Sequence, residues 1–548
     1  MNFDGIDIGF ETISFFEKEK ITSFEMANAI LNDKTGIVDF FERENDFIQL
    51  QQILKINQNI VSENRIEYGD FQTNKQLSES ICNYLYSKNI NPKILLEPTC
   101  GKGSFILSAI KTFDSLQQVF GVEIQEKYLW HLKFELLEYF LNNPTVKKPQ
   151  INLYHCSVFD FDFKQVKNQI NNQELLVIGN PPWVTNSTLS TLNSKNLPKK
   201  SNFKNTKGID AITGKGNFDI GEFISLKMLE LFSKENGYFA FLIKNSVLKN
   251  IVFEQKKNKY PIANIEKYTI SAKKEFDAAV DASLFVCKFN SVPELTAKEF
   301  DFYTLKPRVT LGWVNNKFAS DTEKYKKYQH LDGICPFEWR QGIKHDCAKI
   351  MELERINGGF RNALGEEFEL EEDLIYGILK SSDLKQDVID ISRKFTIVTQ
   401  KRIGQETSQI LEKLPKTKAY LERHKNYFLQ RKSSIYNGKP MYSIFGVGDY
   451  SFKPYKVAIS GLYKQTKFTL IKPNGTVLLL DDTCYFIGFN TFEEAQEIQN
   501  LLNQLETQEF IESFMFTDAK RAITKDLLMR IGLVNHSVGR KTKQLSIF

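Results

Sequence analysis

Apolar and polar positions follow two rhythms along this chain. Up to about residue 65 apolar residues recur at mixed three- and four-residue spacing, clearest from Asp46 to Val61, which predicts helix. Residues 77–90 predict another helix, ending near Asn91-Pro92. The rhythm then changes. Short apolar runs at Lys93–Glu97, Gln118–Ile124, Ile151–Tyr154, Leu175–Ile178 and Gly237–Leu242 read as buried strands. Helical patterns at Ser104–Phe113 and Lys127–Leu141 separate the first of them. Strands alternating with helices predict an α/β fold, a parallel sheet with helices on both faces. Residues 184–215 are polar and rich in Ser, Asn, Thr and Lys, the composition of a long loop. After the Leu284–Phe289 strand the alternation stops. The remainder reads as irregular, with a hairpin hint at Lys472-Pro473-Asn474-Gly475-Thr476. A boundary is expected near 290–305. The expected organisation is a helical extension over 1–65, a Rossmann-like α/β domain over 66–300 and a mixed α+β domain over 301–548. No internal repeat or low-complexity tract interrupts it.

Composition sets limits. At roughly 150 residues per domain, 548 residues hold about two to four domains. Hydrophobic residues are 42% and charged residues 25%, enough for a sizeable core and against wholesale disorder. No apolar run approaches the ~20 residues of a membrane span. The start, MNFDGIDIGFETISFF, lacks the basic region and cleavage site of a signal peptide. The seven cysteines are scattered and never spaced CxxC, against a disulfide framework or a zinc site. A cytoplasmic protein without metal is the expectation. Net charge is +5, but residues 391–470 alone carry +12, leaving −7 for the rest. Tyr427, Phe428, Tyr436, Tyr442, Tyr450, Phe452, Tyr455 and Tyr463 lie among those basic residues. A basic block with aromatics fits a polyanion, usually nucleic acid. A solvated surface over core aromatics gives the same counts.

Four strand ends carry candidate chemistry. The turn Pro98-Thr99-Cys100-Gly101-Lys102-Gly103 after Glu97 lets backbone approach a ligand closely, although any tight turn needs glycine. Glu97 repels a pyrophosphate and suits a positively charged amino group. Glu123 stands 22 residues past Gly101, where a carboxylate accepts both hydroxyls of a ribose. Asp160, in Ser157-Val158-Phe159-Asp160, can accept from an adenine amino group, with Asp162 an equally placed competitor. The fourth is Leu175–Gly179 running into Asn180-Pro181-Pro182-Trp183. Its prolines fix the backbone and remove two donors. The Asn180 side-chain oxygen and the Pro181 carbonyl then form an acceptor pair for both hydrogens of a planar amino group. Trp183 offers a flat face for a base.

Asn-Pro-Pro-Trp after a hydrophobic strand resembles the catalytic motif of the S-adenosylmethionine-dependent methyltransferases that make N6-methyladenine in DNA. The motif order resembles that of the gamma group found in restriction–modification systems. The resemblance covers roughly residues 66–290. It extends to Gly69-Asp70-Phe71-Gln72-Thr73 as an N-terminal cofactor motif and to Glu97–Gly103 as a glycine-rich one. It implies S-adenosylmethionine as cofactor, its methionine end held by Thr73 and Glu97, with Pro98, Cys100, Gly101 and Gly103 in the glycine-rich turn. Glu123 becomes the ribose acid and Asp160 the adenine contact. Asn180 and Pro181 grip the target amino group beside Pro182, Trp183 stacks on the flipped base, and Phe276 closes its other face. Cys100 reads as a small buried residue and not a nucleophile, since methylating an exocyclic amine needs no covalent intermediate.

The same resemblance implies duplex DNA as partner, a C-terminal target-recognition domain, and room for a separately encoded restriction endonuclease. Phosphate-contact candidates are Arg393, Lys394, Lys401, Arg402, Arg431, Lys432, Lys453, Lys456, Lys464 and Lys467, and Arg340 and Gln341 suit guanine and adenine edges. An RNA or a protein glutamine as substrate is the alternative, and Trp at 183 in place of Tyr or Phe fits each reading imperfectly. A fused nuclease is disfavoured, because the first 65 residues show no metal-site pattern.

Overall fold

The computed structural model describes residues 6, 8–56, 73–184, 219–276, 281–516 and 521–533. The chain forms two compact units, Met1–Trp313 and Val314–Phe548.

Three helices open the first unit, α1 (Phe10–Lys18), α2 (Phe24–Thr35) and α3 (Glu44–Ile56). Ser23 Oγ accepts the Met26 amide at 3.2 Å and starts α2, and Gly36, at φ 77°, ends it. The first helix starts at Gly9, which has no side chain to cap with. Glu138 supplies the cap from 126 residues away, its Oε2 accepting the Thr12 amide and hydroxyl at 2.8 Å each. A Cβ at Gly9 would overlap that carboxylate.

The alternation follows: α4 (Lys75–Ser87), β1 (Ile94–Glu97), α5 (Ser104–Thr112), β2 (Gln118–Glu123), α6 (Glu126–Asn142), β3 (Gln150–His155), α7 (Lys164–Ile170), β4 (Leu175–Gly179), α8 (Ile220–Phe232), β5 (Gly237–Lys244), α9 (Asn245–Asn258), β6 (Ala263–Ile270), α10 (Ala272–Phe276), β7 (Ala282–Lys288), β8 (Thr296–Asp301) and β9 (Pro307–Val314). The strands lie in the order β9-β8-β6-β7-β5-β4-β1-β2-β3. Every residue of β1 and β4 is buried, as two covered faces require, hence their unbroken apolar runs. The pairs among β1 to β5 are parallel, as the alternation predicts. The sheet is not parallel throughout, because β7 runs antiparallel to both β5 and β6. Only residues 271–281 join β6 to β7, short of a parallel crossover. Strands β8 and β9, across and beyond the 290–305 window, continue the same sheet.

The outer edge of β3 is covered by the N-terminal arm. Ile151 donates to Gly36 O and accepts from Val38 N, both at 2.8 Å, which satisfies an otherwise open edge. Phe15, Leu31, Phe40, Phe41 and Phe47 join the core that α6 and β3 share with the rest of the unit. Lys133 of α6, 3% exposed, donates to Phe40 O at 2.8 Å and lies 4.6 Å from the Trp130 ring centre.

The second unit holds regular strands and helices where its sequence pattern reads as irregular, within the mixed α+β organisation expected there. A five-stranded sheet orders Arg340–Gln341, Cys484–Phe489, Tyr455–Ser460, Thr469–Ile471 and Val388–Ile389. A six-stranded sheet orders Glu367–Phe368, Gly359–Asn362, Glu352–Ile356, Lys394–Ile397, Ile375–Leu379 and Leu479–Leu480. The strands are short and drawn from distant segments, so no local alternation announces them. Asn474-Gly475 does not close a hairpin. The strands flanking it belong to different sheets, and the Asn474 amide donates to Asp390 O at 3.1 Å. No helix among the described residues is long and apolar enough to cross a membrane.

Candidate active site

Parallel strands aim their carboxyl ends at one rim, and the turns leaving β1, β2, β3 and β4 build a cleft there of about 940 Å³, open to solvent. Thr73, Glu97, Pro98, Cys100, Gly101, Glu123, Asn180, Pro181 and Pro182 line it together. Gly69–Gln72 and residues 185–215 lie outside the described residues.

Glu97 ends β1 and is 2% exposed. Its Oε2 has no hydrogen-bond partner among the described residues. Burial, then the neighbouring Glu123, push its pKa well above the usual carboxylate range. A buried carboxyl of this kind is completed by a cationic donor. Glu123 differs: Gly101 N donates to its Oε2 at 2.8 Å and Gln125 N to its Oε1 at 2.9 Å, so the turn itself fixes the carboxylate. Gly101 sits at φ 52° in that turn. Gly103 has another duty. It stands outside the cleft lining at φ 77°, and a Cβ there would lie 2.2 Å from Leu132 of α6. Cys100 is buried, and burial with two neighbouring carboxylates holds its thiol protonated.

Asn180 joins the two ends of the cleft. Its Nδ2 donates to Thr73 Oγ1 at 3.2 Å, and Thr73 O accepts from Ser104 Oγ at 2.8 Å at the start of α5. Trp183 points inward. It is 5% exposed, its Nε1 donates to Leu242 O at 3.4 Å, and its ring meets Phe276 edge-to-face at 4.9 Å, so it presents no open face to the cleft. Phe276 also lies outside the cleft lining and is less buried. Its helix is moored by Glu275, which accepts from Asn74 Nδ2 at 3.0 Å and Tyr303 Oη at 2.9 Å. Asp160 is exposed and outside the lining; Cys156, Val158 and Phe159 of the same turn line the cleft instead. Its competitor Asp162 is engaged at α7, accepting the Lys164 amide at 3.1 Å.

The N-6 DNA Methylase family profile matches residues 55–272. Type II methyltransferase M.NspV from Nostoc sp. (strain ATCC 29411 / PCC 7524) is 40% identical over 476 residues, 86% of this chain and 98% of that one. The chain belongs to the N-6 DNA methylases. Type II methyltransferase M.VspI from Vibrio sp. (strain 343) is 24% identical over 196 residues, 36% of this chain and 41% of its own. A solved nuclease-deletion mutant of the type ISP restriction–modification enzyme LlaGI, in complex with a DNA substrate mimic, aligns at TM-score 0.41 and 12% identity. That alignment spans 93% of this chain and 49% of the other.

Two groups of residues in this N-6 DNA methylase escape the sequence reading. Ile124, Gln125, Cys156 and Val184 line the cleft because each lies just beyond a strand end or its turn, a positional signal available in the sequence. Ile220 and Ile224 of α8 line it from far along the chain, and no local pattern marks them.

The basic block of the methylase is largely spoken for. Lys456 is fully buried and cannot reach a phosphate; its Nζ donates to Lys453 O at 2.6 Å. Arg431 donates to Ser443 O at 2.7 Å and Met441 O at 2.8 Å, and lies 3.6 Å from the Tyr436 ring centre. Arg393 pairs with Asp383, Lys467 with Asp387 at 2.9 Å, and Arg402 with Asp449 at 3.3 Å. Lys394 stands 3.9 Å from Glu352. Arg340 pairs with Glu338 and lies 4.6 Å from the Tyr450 ring centre, and Gln341 donates to Asp482 O. Lys432, Lys453 and Lys464 have no ion pair among the described residues, and Lys401 lies 6.0 Å from the Phe452 ring.

Proposed function

We propose that this chain is the modification enzyme of a restriction–modification system, transferring a methyl group to the N6 amino group of an adenine in duplex DNA. The observation that carries the reading is that Asn180, Pro181 and Pro182 share one cleft with Glu97 and Glu123. RNA and protein-glutamine substrates, which the same turn also suits, are not favoured, since the two relatives described above are type II methyltransferases.

S-adenosylmethionine fits the acceptors that line the cleft, with the buried Glu97 Oε2 for its ammonium and Glu123 for its ribose hydroxyls. When bound, it supplies an electrophilic methyl on a sulfonium. The chain's residues do the rest by position. Donation from Asn180 Nδ2 to Thr73 orients the amide, so its oxygen and the Pro181 carbonyl accept the two hydrogens of the target amino group. Held this way, the nitrogen is drawn out of conjugation and its lone pair is aimed. Extruding the base costs a few kcal/mol, offset by these hydrogen bonds and by stacking. We assign the stacking face to Phe276, with Trp183 as the ring braced behind it. The second unit is read as the part that holds and reads DNA.

Modification-sensitive sequencing of DNA from a methylation-deficient host expressing the chain tests this, with Asn180→Ala as control. N6-methyladenine at one recurring motif, absent in the control, is expected. Unmodified DNA from a folded, cofactor-binding chain would overturn it.

A further inference from the structure

We propose that Lys227 is a positioning residue for the base end of the cofactor cleft, acting through the Val158 and Phe159 carbonyls. The inference rests on the cofactor reading above. Ile220, Ile224 and Lys227 of α8 are spaced to share one helix face. The two isoleucines line the cleft, and Lys227 stands behind its wall. Its Nζ donates to Val158 O at 2.8 Å and Phe159 O at 3.3 Å, and lies 5.2 Å from the Phe163 ring centre. Phe159 also meets Phe223 of α8 at 5.6 Å.

The turn so gripped closes on itself locally: the Asp160 and Phe161 amides both donate to Ser157 O at 3.0 Å. Its side chains Val158 and Phe159 shape the cleft from inside, while one ammonium fixes their backbone from outside. Burial lowers the Lys227 pKa, and the negative charge of Asp160 opposes the shift. Cys156 acts on it in the same direction. The same helix meets the Asn-Pro-Pro turn, since Ile220 N donates to Val184 O at 2.9 Å. Removing the ammonium hands the two carbonyls to water, which the half-buried Lys227 and Phe159 admit at little cost in stability, and frees the turn that carries Asp160.

The test compares Lys227→Met and Lys227→Arg with the wild-type chain, by calorimetric titration with S-adenosylhomocysteine and with 5′-methylthioadenosine. The second ligand keeps the adenine and ribose and lacks the amino-acid end. Lys227→Met is expected to weaken both ligands alike, by about tenfold, and Lys227→Arg by about threefold or less. The KM for S-adenosylmethionine rises with kcat retained, and the thermal midpoint of the ligand-free chain stays in place. Unchanged affinity, or a loss confined to S-adenosylhomocysteine, overturns the role. So does a loss matched by a fall in ligand-free stability. Binding of neither ligand by the wild-type chain overturns the cofactor reading itself, and this role with it.

Discussion

The cleft of the first unit and the basic stretch of the second handle charge in opposite ways. In the cleft, charges are few, buried and set by backbone: Glu123 is held by two amides, and Glu97 keeps an oxygen that the described chain leaves without a hydrogen bond. In the stretch 391–470 charges are many, and Arg393, Arg402 and Lys467 each meet a carboxylate. The number of charges at a place therefore says little about ligands. A charge whose counterpart the protein does not supply says more. Lys456 is the second unit's nearest equivalent to Glu97, fully buried with a backbone carbonyl as its acceptor.

Substitutions can break or sharpen that contrast. The largest effect is expected from Asn180→Ala, a fall in methyl transfer of about 10²–10³-fold in single-turnover assays, with S-adenosylhomocysteine affinity nearly kept. Glu97→Gln is expected to weaken that ligand by about 10–100-fold in calorimetry. Its pH dependence carries a sign. The raised Glu97 pKa keeps the carboxyl partly protonated above the usual carboxylate range, while a cationic ligand selects the ionised form. Binding should release a proton and tighten as pH rises toward that raised value, and the slope should vanish in Glu97→Gln.

Lys456 offers the same test in the second unit. Burial lowers its pKa to about 7. The unfolded chain then holds a proton that the folded one lacks between there and the ordinary lysine range, so stability rises with pH across that window. Lys456→Met should abolish the rise, worth on the order of 5 kcal/mol across the whole window in denaturant melts. Smaller again, neutralising Lys401, Lys453 and Lys464 together should flatten the salt dependence of DNA binding, by about one unit of slope for each phosphate no longer neutralised. Neutralising Arg393 and Lys467 should leave it unchanged, and an equal effect from both sets would erase the distinction drawn here. Glu138→Gln should cost about 1 kcal/mol of stability by weakening the start of α1.

What was legible in the sequence follows the same division. The turns after β1, β2 and β4 were readable because each function sits within a few residues of an apolar strand, and covalent geometry carries the side chains to one rim. The reversal of β7 was not, since pairing direction depends on the length of the link relative to its neighbours. The inward turn of Trp183 depends on Leu242 and Phe276, which are distant in sequence. Ile220, Ile224 and Lys227 were hidden for the same reason. The second unit's sheets assemble from strands such as Arg340–Gln341 and Cys484–Phe489, more than a hundred residues apart, and no window of sequence shows such a pair.

The N-terminal arm has a consequence during synthesis. A ribosome makes Phe15, Leu31, Phe40 and Phe41 well before it makes their seat, because α1 waits for Glu138 and Gly36 waits for Ile151. At about 5–20 residues per second the gap lasts on the order of ten seconds. Throughout it those apolar side chains are without the core that later covers them.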